Sequence, residues 1–204
     1  MRIGFLHHQQ IIWNKGRAVL TRTPYWFAHE PCWFVRKKNA PWYGKAGENT
    51  TVWDSPSPKF IMGGSDEEKF DHPTQKPVDL MRRPLLNHTK RGESVYEPFL
   101  GSGTCVAAAE ISERVCWGIE LDPKYVDVVV KRWQGLTGGK ATLEGRDAYD
   151  LASSRDLCFI AVFSRYATPL GAELLMNSAA NARPMSSCSI VPNRPGMRRP
   201  SHAT

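Results

Sequence analysis

Two glycines and an acid are the residues of this chain whose spacing could hold a small polar ligand. Tyr96-Glu97-Pro98-Phe99-Leu100-Gly101-Ser102-Gly103-Thr104 reads as a strand that empties into a glycine-rich turn and then a helix. Without a Cβ, Gly101 and Gly103 let the backbone approach a guest closely, and a helix starting near Gly103 presents free N–H groups. Glu120 ends the next strand, in Gly118-Ile119-Glu120. A carboxylate placed there can accept hydrogen bonds from both hydroxyls of a ribose. A dinucleotide fingerprint wants a third glycine at position 106, where this chain has Val106, so a pyrophosphate is disfavoured. The same carboxylate would repel a ribose phosphate. The plainer reading of the acid, a helix cap, suits Asp122 better than Glu120.

The elements that must position these groups follow a β-α-β-α order, the pattern of a parallel sheet with crossover helices. Ser94 to Phe99 reads as a strand, Gly103 to about Ser112 as a small-residue helix, and Val115 to Ile119 as the next strand. Asp122 can cap a helix with Pro123 in its first turn, on which Val126, Val129, Val130 and Trp133 recur at helical spacing until Gly138-Gly139. Upstream, residues 77–88 predict a helix with Val78, Met81 and Leu85 on one face and a kink at Pro84. Three short strands are expected at residues 10–13, 25–27 and 32–35, the last two joined around His29-Glu30-Pro31. Residues 44–72 read as a loop or insertion. Leu157 to Phe163 is an apolar run without clear partners, and residues 177–204 read as disordered.

The 204 residues suffice for one domain with a real core. No stretch has the length of a membrane span, and no N-terminal run suits a secretory signal, so the expected residence is cytoplasmic, with no membrane partner. Five scattered cysteines without a Cys-x-x-Cys pair argue against a zinc site or a disulfide framework, and no metal is expected. The net charge of +7 suggests a polyanionic partner, but four of those charges lie from Leu151 onward, which discounts the total. A basic aromatic stretch is more telling. Lys15, Arg17, Arg22, Arg36 and Lys37 are candidate phosphate contacts, interleaved with Trp13, Trp26, Trp33 and Trp42, which could stack on bases; the plainer reading makes Trp26 and Trp33 core and Arg36-Lys37-Lys38 a solvated turn.

Residues 72–135 closely resemble the S-adenosylmethionine-binding part of bacterial and phage DNA amino-methyltransferases. Thr74-Gln75-Lys76-Pro77 matches the motif preceding the cofactor strand. Glu97-Pro98-Phe99-Leu100-Gly101-Ser102-Gly103-Thr104 matches Asp-Pro-Phe-x-Gly-Ser-Gly-Thr, with Glu97 in place of the usual Asp, and Gly118-Ile119-Glu120 matches the ribose-binding acid. Residues 3–71 resemble the family less specifically, through Gln10-Ile11-Ile12-Trp13-Asn14-Lys15 and His29-Glu30-Pro31. The motif order is that of a permuted subclass with the catalytic half first. Its Asp/Asn/Ser-Pro-Pro-aromatic signature is expected upstream of Gln10, and no such sequence occurs in the chain. Asn39-Ala40-Pro41-Trp42-Tyr43 is similar only superficially. In the family, the signature steers the lone pair of the target amine toward the sulfonium methyl, and its aromatic residue stacks on a base swung out of the duplex. No covalent cysteine is needed, so Cys105 and Cys116 are expected to be packing residues.

The resemblance implies a Rossmann-like α/β methyltransferase fold, incomplete at the N-terminus. Residues 1–146 would be a partial domain, with 1–43 the later part of the catalytic half, 44–71 a variable connector and 72–146 the cofactor half; residues 147–204 would be a tail foreign to the family. Thr74, Gln75, Lys76, Glu97, Pro98, Phe99, Gly101, Ser102, Gly103, Thr104 and Glu120 would surround S-adenosylmethionine. Double-stranded DNA would be the substrate, adenine the favoured base, and a second chain a source of the missing half. The rival expectation is a catalytically inactive fragment that keeps cofactor or DNA binding. A nicotinamide dehydrogenase is disfavoured by Val106. In the family's sheet the signature strand lies beside the strand Ser94 to Phe99, so its absence is expected to leave an open edge, poor solubility and a protease-sensitive segment 165–204.

Overall fold

The computed structural model describes residues 6–58, 67–143, 146–147 and 159–163. Downstream of residue 72 the sheet is built on a parallel pair. Strand β4 (Ser94–Glu97) runs beside β5 (Val115–Glu120), with Ser94 opposite Val115 and Glu97 opposite Gly118. Helix α2 (Thr104–Ile111) connects them, and Ala107, Ala108 and Ala109 are buried against the sheet, small enough for close approach. Helix α3 (Pro123–Thr137) follows β5. Asp122 Oδ1 accepts from Lys124 N at 2.9 Å, Pro123 occupies the first turn, and Gly138 closes the helix in the left-handed region. Val129, Val130 and Trp133 enter the core with Leu85, Leu100, Val106 and Cys116, as the periodicity predicts. Helix α1 (Val78–His88) contributes Leu85, with Val78 and Met81 packed alongside; Pro84 lies inside it.

The N-terminal region differs in detail from the expected short strands. Strand β1 (Leu6–Val19) is far longer than residues 10–13, with Ile11 and Trp13 alternating into the interior. Residues 25–27 and 32–35 do not form two strands around His29-Glu30-Pro31. One strand, β2 (Phe27–Arg36), runs through that segment, antiparallel to β1 with Pro31 opposite Ile12. Proline lacks the ladder donor, and β2 is an edge strand among the described residues, so the missing N–H costs no pairing. Within the expected loop 44–72 a short strand, β3 (Val52–Asp54), adds to β1 in parallel.

Within the apolar run 157–163, the described residues 159–163 find a partner. Phe159–Phe163, here β8, pairs antiparallel with the outer side of β5, Glu120 opposite Phe159, while Thr142–Leu143 (β6) and Arg146–Asp147 (β7) form a minimal hairpin. On its other side β4 has no strand partner among the described residues. The disorder expected over 177–204 and the protease sensitivity of 165–204 lie outside the described residues.

Candidate functional site

The carboxyl ends of β4 and β5 bring Glu120 to the glycine turn. Glu120 Oε2 accepts from Gly101 N at 2.8 Å, and Oε1 accepts from Leu121 N and Asp122 N at 2.9 and 3.0 Å. A carboxylate has about four lone-pair directions, so one, on Oε2, stays open beside the turn. Gly101 and Gly103 have φ of +52° and +74°, the left-handed region that favours glycine. A methyl on Gly101 would fall 3.0 Å from His72 Nε2, and the His72 ring packs edge-on against Tyr125 at 4.5 Å. Burial lowers the His72 pKa, although Glu120 and Asp71 pull it upward. His72 therefore borders the turn, at the start of the segment 72–135 that carries the resemblance.

The other residues of the turn point elsewhere. Glu97 is half-buried at the end of β4; burial raises its pKa, and Phe99 N donates to its Oε1 at 2.9 Å. Pro98 and Phe99 are exposed, Phe99 by 82%. Ser102 and Thr104 are buried, facing a guanidinium that sequence reading missed. Arg132 Nη1 donates to Ser102 O and to Thr104 Oγ1, each at 3.1 Å, and Nη2 donates to Glu67 Oε1 at 2.8 Å. Gln75 is also consumed internally: its Nε2 donates to Glu67 Oε1 and Glu68 O, and its Oε1 accepts from Phe70 N. Arg132 had a signal, a cation at position 132 beside the apolar Val129, Val130 and Trp133 of one helix, which must find a buried anion. Glu67 had none.

Thr74, Gln75 and Lys76 line a groove of about 340 Å³ together with Lys15, Arg17 and Glu30. Lys15 and Lys76 both reach Glu30 at 2.7 Å, and Lys76 Nζ lies 4.8 Å from the Trp13 ring centre. Burial pushes the Glu30 carboxyl up, but the hydrogen bonds and charges of Lys15 and Lys76 outweigh it and hold the pKa below 4.5. The structure thus gathers Lys15 and Arg17 beside the Thr74–Lys76 segment. Arg36 and Lys37 lie toward the opposite end of the β1–β2 ladder, beside Phe34, Pro41 and His88, and Arg22 lies exposed beyond β1. Trp26 and Trp33 are exposed rather than core. Cys105 and Cys116 are buried, and the hydrogen bond between them, with burial, keeps the Cys116 thiol protonated well above pH 9, as suits packing residues.

This pairing of a glycine turn with an acid on adjacent parallel strands has matching relatives. The family model described as "DNA methylase" matches residues 2–131, more than half of the chain. The chain belongs to the DNA methylase family. It is 30% identical over 145 residues to type II methyltransferase M.Cfr9I of Citrobacter freundii, covering 65% of this chain and 46% of that one. It is 36% identical over 97 residues to DNA adenine methyltransferase YhdJ of Escherichia coli K12, covering 47% and 32%. The chain thus spans half or less of the length of these relatives. Among solved structures, the M1.HpyAVI–SAM complex superposes with a TM-score of 0.50 at 30% identity, covering 63% of each chain. The cytosine-N4-specific PvuII DNA methyltransferase superposes with a TM-score of 0.55 over 64% of this chain and 52% of its own; at 18% identity it speaks for the fold alone. The expected Rossmann-like α/β methyltransferase fold agrees with these neighbours.

Proposed function

We propose that this chain binds S-adenosylmethionine at the Gly101–Thr104 turn and serves DNA amino-methylation, with adenine in double-stranded DNA as the base. The observation that carries the reading is the open Oε2 direction of Glu120 beside two left-handed glycines. One ribose hydroxyl could be received there without displacing an amide. Receiving both would require Leu121 N or Asp122 N to give way. His72 would wall the cofactor on the side of Gly101, and residues 1–146 would form the family domain. When bound, the cofactor would supply the methyl group on its sulfonium. Lys15, Arg17 and Lys76 would position a DNA phosphate over the groove, and Trp26 and Trp33 offer exposed rings.

The reading is tested by titrating S-adenosylmethionine into the chain by calorimetry. Glu120→Ala removes a charged acceptor, so affinity should fall by roughly 1.5–3 kcal/mol. Equal affinities in wild type and variant would remove Glu120 from the role. The chain contains no Pro-Pro-aromatic sequence to orient the amine. We therefore expect no transfer of labelled methyl to DNA by this chain alone, and transfer only when a second chain supplies that signature. Turnover by the chain alone would refute this division of labour.

A further inference from the structure

We infer that Arg132 is a positioning residue: with Glu67 it latches the segment 67–78 onto the glycine turn and so sets the turn's shape for the cofactor. The inference rests on the proposed cofactor site and adds the element that holds it. Arg132 is 6% exposed. Its fork spans two separate pieces of chain, with Ser102 O and Thr104 Oγ1 on one side and Glu67 on the other. Each partner is itself committed. Thr104 Oγ1 donates onward to Lys76 O at 3.0 Å. Glu67 Oε2 accepts from Val78 N at 2.8 Å, capping the first turn of α1 across eleven residues, while Glu67 Oε1 also receives Gln75. The Arg132 guanidinium lies 4.7 Å from the centre of the Phe70 ring, which Gln75 holds by its backbone.

These contacts fix two backbones at once. Gly103 is left-handed between Ser102 and Thr104, both of which Arg132 holds, so their spacing constrains the one residue whose conformation starts α2. A lysine at 132 has one point charge and could not span both sides with fixed geometry. The latch also ties down the segment that lines the groove, since Glu67 receives Gln75 Nε2 and Val78 N while Thr104 Oγ1 reaches Lys76 O.

The test compares the full chain with Arg132→Met, Arg132→Lys and Trp133→Phe. The last removes a buried hydrogen bond of the same helix, Trp133 Nε1 to Glu110, away from the turn. Two readouts are used: hydrogen–deuterium exchange of the amides of residues 101–104, and the Kd for S-adenosylmethionine. Arg132→Met should speed exchange at 101–104 and raise Kd, each roughly tenfold, the scale of one charged hydrogen bond. Arg132→Lys should fall between it and wild type. Trp133→Phe should lower the melting temperature and leave both readouts in place. Wild-type exchange and affinity in Arg132→Lys, or in a folded Arg132→Met, would overturn the latch, as would equal effects of Trp133→Phe. A wild-type chain that binds no S-adenosylmethionine would refute the cofactor reading, and the exchange arm would still decide the latch.

Discussion

Gly118→Ala probes how tightly the two strands of the site are registered. Gly118 lies in β5, opposite Glu97 of β4, and is buried. A methyl built there would run into Cδ2 of Leu100 and fall only 2.5 and 2.6 Å from its Cγ and Cδ1. All three branch atoms collide, so turning one methyl away cannot relieve the contact. Leu100 is itself buried and its backbone N–H donates to Ile119 O at 3.0 Å, which leaves little room to retreat. Overpacking of this kind costs about 1–3 kcal/mol. Because Leu100 leads directly into Gly101, the displacement should also reach the bond from Gly101 N to Glu120. Urea unfolding of wild type, Gly118→Ala, Leu100→Ala and the double variant gives the answer. Leu100→Ala alone should cost about 2–5 kcal/mol as a cavity. Adding Gly118→Ala to it should cost little or stabilise, because the new methyl enters the vacated space, so the two changes should be non-additive by at least about 1 kcal/mol. Strict additivity, or a Gly118→Ala midpoint equal to wild type, would show that Leu100 does not pack on Gly118 and would refute the close strand-turn contact.

Four further outcomes are expected. Glu67→Ala strands the buried Arg132 and uncaps α1; because Glu67 is partly exposed, the cost should be near the low end for a broken buried pair, about 3 kcal/mol by denaturant titration. Glu30 is held below its unfolded pKa, so its contribution is present above about pH 4.5 and lost as pH falls through the folded value; Glu30→Gln should flatten that acid limb of the stability profile. Glu97 is shifted the other way, so the native state loses stability as pH rises between its unfolded and folded pKa values, and Glu97→Gln, which can still accept from Phe99 N, should be more stable than wild type at pH 7. Arg17→Ala should weaken binding to duplex DNA evenly across sequences and reduce the slope of log K against log salt by about 1, whereas a slope equal to wild type would place the duplex elsewhere.

What the sequence made legible is what local spacing determines. Helix α3 announces itself through Asp122, Pro123 and the valine–tryptophan stripe, and the glycine turn through its position between an apolar run and small helical residues. What it hid depends on partners far along the chain. Strand β1 passes through Asn14-Lys15-Gly16-Arg17, where a bulge interrupts alternation, so its length emerges only against β2. Pro31 looks like a break and is tolerated because the strand is at an edge. The apolar content of Phe159–Phe163 was plain, but its pairing with β5 joins residues 39 to 47 positions apart and carries no local mark.

The same division explains why a motif's polar side chains need not be its ligands. Ser102, Thr104 and Gln75 have the donors and acceptors that a bound cofactor would use, and their types alone point to contact with it. They lie, however, where α2, α3 and the segment before α1 converge, and each is at most 7% exposed. A buried hydroxyl or amide without a partner costs about 1–3 kcal/mol, so such groups must be satisfied within the chain before any ligand arrives. Arg132 and Glu67 supply those partners. The turn's backbone is committed as well, Gly101 N to Glu120 Oε2 and Gly103 N to Leu100 O, and the group with a lone-pair direction to spare is the Glu120 carboxylate. In this turn, buried polar side chains give shape, and their hydrogen-bonding capacity is committed within the chain.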